Sequence, residues 1–165
     1  MEKNSFFTIE KIVVNVGYGK QLTSGNLNEK TVPELAKELA LITGQKPQDR
    51  PARKSIAGFK IREGQNIAFK VTLRGKRMSD FLRRVVWIAI PRIRDFRGIP
   101  LKSVDQQGNL HIGIRDQFVF PELTPDTSKV NFGMQVTIVP KQHLLGSREK
   151  AVEFYRSLGI PLKKA

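Results

Sequence analysis

Apolar and polar positions alternate along four stretches of the chain. In Thr8–Val16, Ile12, Val14 and Val16 fall on one side and Lys11, Val13 and Asn15 on the other. In Asn66–Arg74, Ile67, Phe69, Val71 and Leu73 oppose Ala68, Lys70, Thr72 and Arg74. Asn109–Arg115 sets Leu110, Ile112 and Ile114 against His111, Gly113 and Arg115; Gly133–Val139 sets Met134, Val136 and Ile138 against Gln135, Thr137 and Val139. Successive side chains of a strand point to opposite faces, so a period of two predicts strands with one covered face.

Three other stretches repeat at helical spacing. Asn28–Gly44 carries Val32, Leu35, Leu39 and Ile42, with Pro33 suited to a first turn and Gly44 to a C-terminal stop. Arg77–Ile90 carries Met78, Phe81, Leu82, Val85, Val86 and Ala89 on an i, i+3, i+4 pattern and meets Pro91. Ser147–Leu158 has an N-capping Ser147, an acid in its first turn (Glu149) and Gly159 just past its end. No internal repeat or low-complexity linker interrupts the order.

Alternating strands and one-striped helices fit an α+β fold, an open-faced sandwich. Its sheet is expected to be mainly antiparallel, with the helices packed on the apolar face. A chain of 165 residues is expected to form one domain, 1–165, with a basic loop protruding at about 50–64. The other sheet face would present Asn15, Lys70, Thr72, Arg74, Arg115, Gln135 and Thr137. Such a face is either ordinary solvated surface or a surface that reads RNA, and the pattern alone leaves both open.

Charge changes the picture. The formal net charge is +14, and residues 46–97 hold 15 of the 29 cations but four of the 15 acids, a net +11 against +3 elsewhere. Charge this concentrated points to a polyanionic partner, nucleic acid before an acidic protein or membrane. No apolar run approaches the roughly 20 residues of a membrane span, and no secretory signal is read at the start of the chain. The absence of Cys removes disulfides and thiolate metal sites and fits a reducing, cytoplasmic setting.

Catalytic chemistry finds little support. The two histidines, His111 and His143, have no patterned third ligand. Gly17–Tyr18–Gly19 lacks the third glycine and the helix start of a dinucleotide fingerprint. Asp80, Asp95, Asp105 and Asp116 show no spacing that converges two carboxylates. A basic enzyme acting on RNA is therefore the weaker rival.

The segment 50–64 is different. Pro51, Gly58 and Gly64 break regular structure, while Arg53, Lys54, Lys60 and Arg62 supply cations for phosphates. Phe59 either stacks on a base or sugar or, with Ile56, anchors the loop to the core. Farther on, some of Arg92, Arg94 and Arg97 are expected to pair with Asp95.

Five collinear motifs carry a resemblance: ITGQKP (Ile42–Pro47), ARKSIAGFKIREG (Ala52–Gly64), KVTLRGKRM (Lys70–Met78), IPRIRDFRG (Ile90–Gly98) and FPEL (Phe120–Leu123). From about Ile9 onward the chain resembles the fifth protein of the large ribosomal subunit, the bacterial 5S-rRNA-binding family. The resemblance implies no enzymatic activity and no cofactor or metal. It implies a protein that docks 5S rRNA in the central protuberance, touches large-subunit rRNA, approaches P-site tRNA and bridges to a small-subunit head protein, with no membrane partner.

Carried over by motif, 5S rRNA contacts fall on Asn15, Gln45, Lys46, Thr72 and Arg74. The tRNA-facing loop matches Arg53, Lys54, Phe59, Lys60 and Arg62, and the bridge falls in Pro121–Met134. A free RNA chaperone or general RNA-binding domain is the alternative within the same class. Three departures from the family are expected to matter. The chain begins almost at its first strand, where the family is expected to open with a helix. The insertion-like Gln21–Glu29 is long. The bridge segment lacks the family's pattern of acids and arginine.

Overall fold

The structure of the chain, a computed structural model, describes residues 8–19, 31–126, 128, 130–141 and 147–163. The insertion-like Gln21–Glu29, the expected helix start at Asn28 and His143 lie outside the described residues.

The four alternating stretches are strands. Ile9–Gly17 is β1, Asn66–Leu73 β3, Leu110–Ile114 β4 and Met134–Pro140 β5; a further strand, β2, spans Gln48–Pro51. They form one open antiparallel sheet in the order β2-β3-β1-β5-β4. Helices among the described residues include α1 (Val32–Thr43), α2 (Gly75–Arg84) and α3 (Arg148–Ser157).

Local chemistry sets the helix ends. Pro33 sits in the first turn of α1, where its missing N–H costs nothing. Gly44 ends the helix in the left-handed region (φ 69°) and donates its N–H to the Ala40 carbonyl at 2.8 Å. Ser147 caps α3 by accepting from the Lys150 amide at 3.4 Å. The second helix starts at Gly75, two residues earlier than the pattern predicts, and after Arg84 it widens into a π-helical turn over Val85–Ala89. There the Ile90 amide donates to the Val85 carbonyl. The wider turn accommodates Pro91, whose ring would otherwise press on the carbonyl four residues back.

The chain forms two compact units. One comprises 1–13, 72–113 and 135–165; the other comprises 14–71 and 114–134. In the first, Ile12, Leu73, Phe81, Leu82, Leu110 and Ile138 are fully or almost fully buried. Tyr155 of α3 is buried with them, and its hydroxyl donates to the Gly108 carbonyl at 2.7 Å. Burial pushes that hydroxyl's pKa upward, so it stays a neutral donor.

In the second unit the core is Val14, Val16, Tyr18, Leu35, Leu39, Phe69, Phe120 and Phe132. Tyr18, between the two glycines that fall short of a dinucleotide fingerprint, is a core residue packed on Phe69 with ring centroids 5.0 Å apart. Burial and the nearby Asp49 charge push its hydroxyl up to about 12.

The short β2 escapes sequence reading. It pairs antiparallel with β3 (Gln48 opposite Lys70, Arg50 opposite Ala68), and the register breaks between Arg50 and Pro51. A strand of four exposed residues ending in proline has no alternation to betray it, and proline is tolerated because β2 is the sheet's edge.

The segment between β4 and β5 is irregular but held from within. Gln117 is fully buried; its amide group donates to the Val130 carbonyl and accepts from the Phe132 amide at 3.0 Å. Ser128 donates to the Glu38 carboxylate at 2.8 Å. A Cβ at Gly133 would stand 3.1 Å from the Ile114 carbonyl oxygen and 3.2 Å from that of Arg115, so a side chain there would push on that backbone at the entrance to β5.

Candidate nucleic-acid interface

In the second unit, Ala52–Gln65 forms a small self-contained hairpin. At its base Ala52 donates to the Gln65 carbonyl (2.8 Å) and Gly64 to that of Ala52 (3.0 Å). Higher up, Ile56 and Ile61 exchange backbone hydrogen bonds at 2.9 and 3.2 Å. A 3-10 turn over Ala57–Phe59 closes the tip, with Lys60 in the left-handed region at φ 51°. The Glu63 amide donates to Ser55 Oγ at 2.9 Å and the Arg62 amide to Gln65 Oε1 at 3.2 Å. Many of the hairpin's backbone amides are thus satisfied locally, and the side chains are turned outward.

Every residue from Arg53 to Lys60 is exposed, as is Arg62. Phe59 is 57% exposed and Ile56 47%, so the anchoring alternative is excluded: neither fastens the loop to the core. Among the described residues, the side chains of Arg53, Lys54, Lys60 and Arg62 form no ion pair or hydrogen bond. What the hairpin presents is four uncommitted cations around an exposed ring.

Asn15 of the same unit is exposed on an outward strand position, Arg115 is exposed just past the end of β4, and Lys70 is half-buried on the outward face of β3. Gln45 and Lys46 follow α1. The Gln45 carbonyl accepts from Thr43 Oγ1 at 3.0 Å, which fixes the backbone at the helix exit. Lys46 lines a groove of about 410 Å³ together with Lys37, Asp49, Pro33 and Phe69.

Outward residues on and beside the first unit's strands are already engaged with one another. Arg74 donates to Glu10 at 3.1 Å, and Lys11 reaches the same carboxylate oxygen at 3.2 Å. The hydrogen bond from Arg74, followed by Lys11, holds the Glu10 carboxyl below the usual range. His111 Nδ1 lies 3.1 Å from Thr137 Oγ1 and 3.3 Å from Gln135 Nε2, and its Nε2 stands 3.6 Å from Asp105. Burial works to raise the Asp105 carboxyl, but hydrogen bonds from the Asn109 side chain and backbone leave it lowered overall. Thr72 is half-buried on its outward position.

The arginines after α2 depart from expectation. Asp95 sits at φ 52°, in a turn, and among the described residues it pairs with none of Arg92, Arg94 and Arg97. Sequence reasoning also missed Trp87, which is 60% exposed. Its signal is present: it falls off the apolar stripe of its helix. In the segment Pro121–Met134, Leu123, Val130 and Phe132 are buried, while Pro121, Glu122 and Asn131 are exposed.

None of the helices in the described residues is long and apolar enough to cross a membrane, and those residues hold no cluster of metal-ligating side chains. Two family models match the chain: that of ribosomal protein L5 over residues 6–62, and that of the C-terminus of the ribosomal L5 family over residues 66–162. Among similar curated proteins, the large ribosomal subunit protein uL5 of Streptococcus thermophilus is 44% identical over 156 residues, which is 94% of this chain and 83% of the relative. The uL5 of Pseudothermotoga lettingae is 47% identical over 94% of this chain and 81% of its own length. That of Rubrobacter xylanophilus is 46% identical over 94% and 83%.

Proposed function

Because this chain belongs to the ribosomal protein L5 family, a structural and non-enzymatic family of the large ribosomal subunit, we propose that its basic loop and its polar strand faces bind different RNAs. The chain is a structural constituent of that subunit. In the finer reading, Asn15, Gln45, Lys46, Thr72 and Arg74 contact 5S rRNA in the central protuberance, beside large-subunit rRNA. Arg53, Lys54, Lys60 and Arg62, with Phe59 among them, meet P-site tRNA. The segment Pro121–Met134 bridges to a small-subunit head protein, and the chain works as one domain with the loop as its arm.

The observation that carries this reading is the hairpin. Four cations without partners among the described residues surround an exposed aromatic ring on a backbone that is bonded to itself. Such cations neutralise phosphates without first giving up another partner, and an exposed ring stacks on bases or sugars. The polar strand positions add hydrogen-bonding groups of fixed direction, which discriminate RNA shape where phosphate contacts do not.

The test is a comparison of RNAs. Purified protein is expected to bind 5S rRNA about tenfold or more tightly than an unrelated structured RNA of equal length at near-physiological salt. Equal affinity for the two would favour a general RNA chaperone instead.

A further inference from the structure

We infer that Trp87, in the first unit, is a stacking platform for an unpaired RNA base, in addition to the 52–65 hairpin of the second. The inference deepens the reading above and rests on RNA being the chain's polyanionic partner.

Trp87 is the chain's single tryptophan, 60% exposed, and its neighbour Ile88 is 36% exposed. Both follow from the helix's own geometry. Val85, Val86, Ala89 and Ile90 are buried, which leaves the two intervening residues facing outward through the π-helical turn. A tryptophan left in water forgoes the burial of one of the largest apolar side chains. Nothing in the first unit uses its indole N–H: among the described residues Trp87 forms no hydrogen bond and no ring contact.

The surroundings select the occupant. Lys76, Asp80, Arg83 and Trp87 are exposed at spacings of four, three and four, one face of the helix. From residue 76 to 97 there are seven cations and two acids, and among the described residues Asp95 leaves its neighbouring arginines unpaired. Two such faces repel, which disfavours a second copy of the chain, and the complementary partner is anionic. An anionic partner that also offers a flat π-face is a nucleic acid strand with an unstacked base. Phosphates meet the cations while the base lies on the indole. A fully paired duplex keeps its bases stacked inside and offers only the phosphates.

The indole reports its own occupancy, since no other tryptophan emits. Whole protein is titrated with an RNA hairpin bearing an unpaired purine loop, with a paired RNA duplex of equal phosphate number, and with polyglutamate. The hairpin alone is expected to quench Trp87 emission and to shield it from acrylamide. Trp87→Phe should bind the hairpin within about twofold of the parent. Trp87→Ala should bind about tenfold more weakly with the salt slope unchanged, because no charge is lost. The ring's exposure predicts that both variants fold, which thermal melting checks.

Equal quenching by duplex or polyglutamate overturns the inference, as does no quenching by the hairpin or parent-like affinity of Trp87→Ala. Filter retention of 5S rRNA separates the two readings. Retention without a hairpin-specific change at Trp87 removes this inference alone. A hairpin-specific change without 5S preference supports it and removes the 5S reading.

Discussion

The 52–65 hairpin and the residues paired along the first unit's strands are both polar and cationic, yet they are prepared in opposite ways. On the hairpin many backbone amides are satisfied and the cationic side chains are not: Arg53, Lys54, Lys60 and Arg62 have no partner among the described residues. Beside the first unit's strands, side chains are paired as well, Arg74 just past β3 with Glu10 and His111 with Thr137. A ligand meets the first surface by displacing counterions. It meets the second by exchanging one hydrogen-bond partner for another, which rewards only a ligand whose groups fall in the right places. On the proposed reading, the hairpin supplies strength and salt sensitivity and the strand face supplies selection.

The sharpest break of this contrast is the triple change Arg53→Ala, Lys54→Ala and Lys60→Ala. The salt dependence of tRNA binding is expected to flatten by about one unit per lost phosphate contact. Release of tRNA from the peptidyl site of assembled ribosomes should quicken, while 5S affinity and incorporation into large subunits stay near normal. Failure of 5S binding or assembly with unchanged tRNA release would mean that the loop holds rRNA inside the subunit instead.

Next in size, Asn15→Ala and Thr72→Ala are each expected to weaken 5S binding by about 1–3 kcal/mol, the cost of an unsatisfied partner at a dry contact. The salt slope should not move. Normal binding by a folded Asn15→Ala protein would remove that residue from the interface.

Glu10→Gln sharpens the comparison from the other side. Releasing Arg74 from its internal partner should raise 5S affinity a few-fold and steepen the salt slope, toward the behaviour of the hairpin. It also has a signature without RNA. The Glu10 carboxyl is lowered in the folded chain, first by its hydrogen bond from Arg74. The stability this lends is therefore present above the unfolded carboxylate pKa and lost as pH falls through the lowered folded value. Melting temperatures followed into acid should show one fewer carboxylate-linked loss in Glu10→Gln; identical pH profiles would discard the pair as a contributor.

The smallest effect belongs to Phe59→Ala, whose ring is more than half exposed. Unfolding free energy should change by no more than about 0.5 kcal/mol, whereas truncation of the fully buried Phe120 should cost about 3–5 kcal/mol. A large loss at Phe59 in chemical denaturation would show that the ring packs against something after all.

The strands β1, β3, β4 and β5 are legible because each buries one face, so burial writes itself into the sequence with period two. Strand β2 is not: Gln48–Pro51 owes its extended form to hydrogen bonds with β3, a cause located about twenty residues away. The cations of the hairpin are readable as types, but their freedom from partners is not, because pairing is decided in three dimensions. Asp95 makes the point in reverse. Its sequence neighbours Arg94 and Arg92 promise an ion pair, and the turn at φ 52° delivers none among the described residues. Gln117 is invisible as well, since a glutamine buried to clamp the Val130 and Phe132 backbone looks like any surface glutamine in a string of letters.

The sheet order β2-β3-β1-β5-β4 puts β1, the earliest of its strands in the sequence, at the centre. One edge of β1 finds β3 early in synthesis, but its other edge belongs to Met134–Pro140, near the end of the chain. At roughly 5–20 residues per second, β1 and β3 wait several seconds with an open edge before the strand that closes it emerges. The polypeptide that will serve protein synthesis is thus itself a late finisher on the ribosome that makes it. Premature termination after β3 and before β5 leaves a half-sheet with β1 as its bare margin, a fragment primed to pair with strands of other nascent chains.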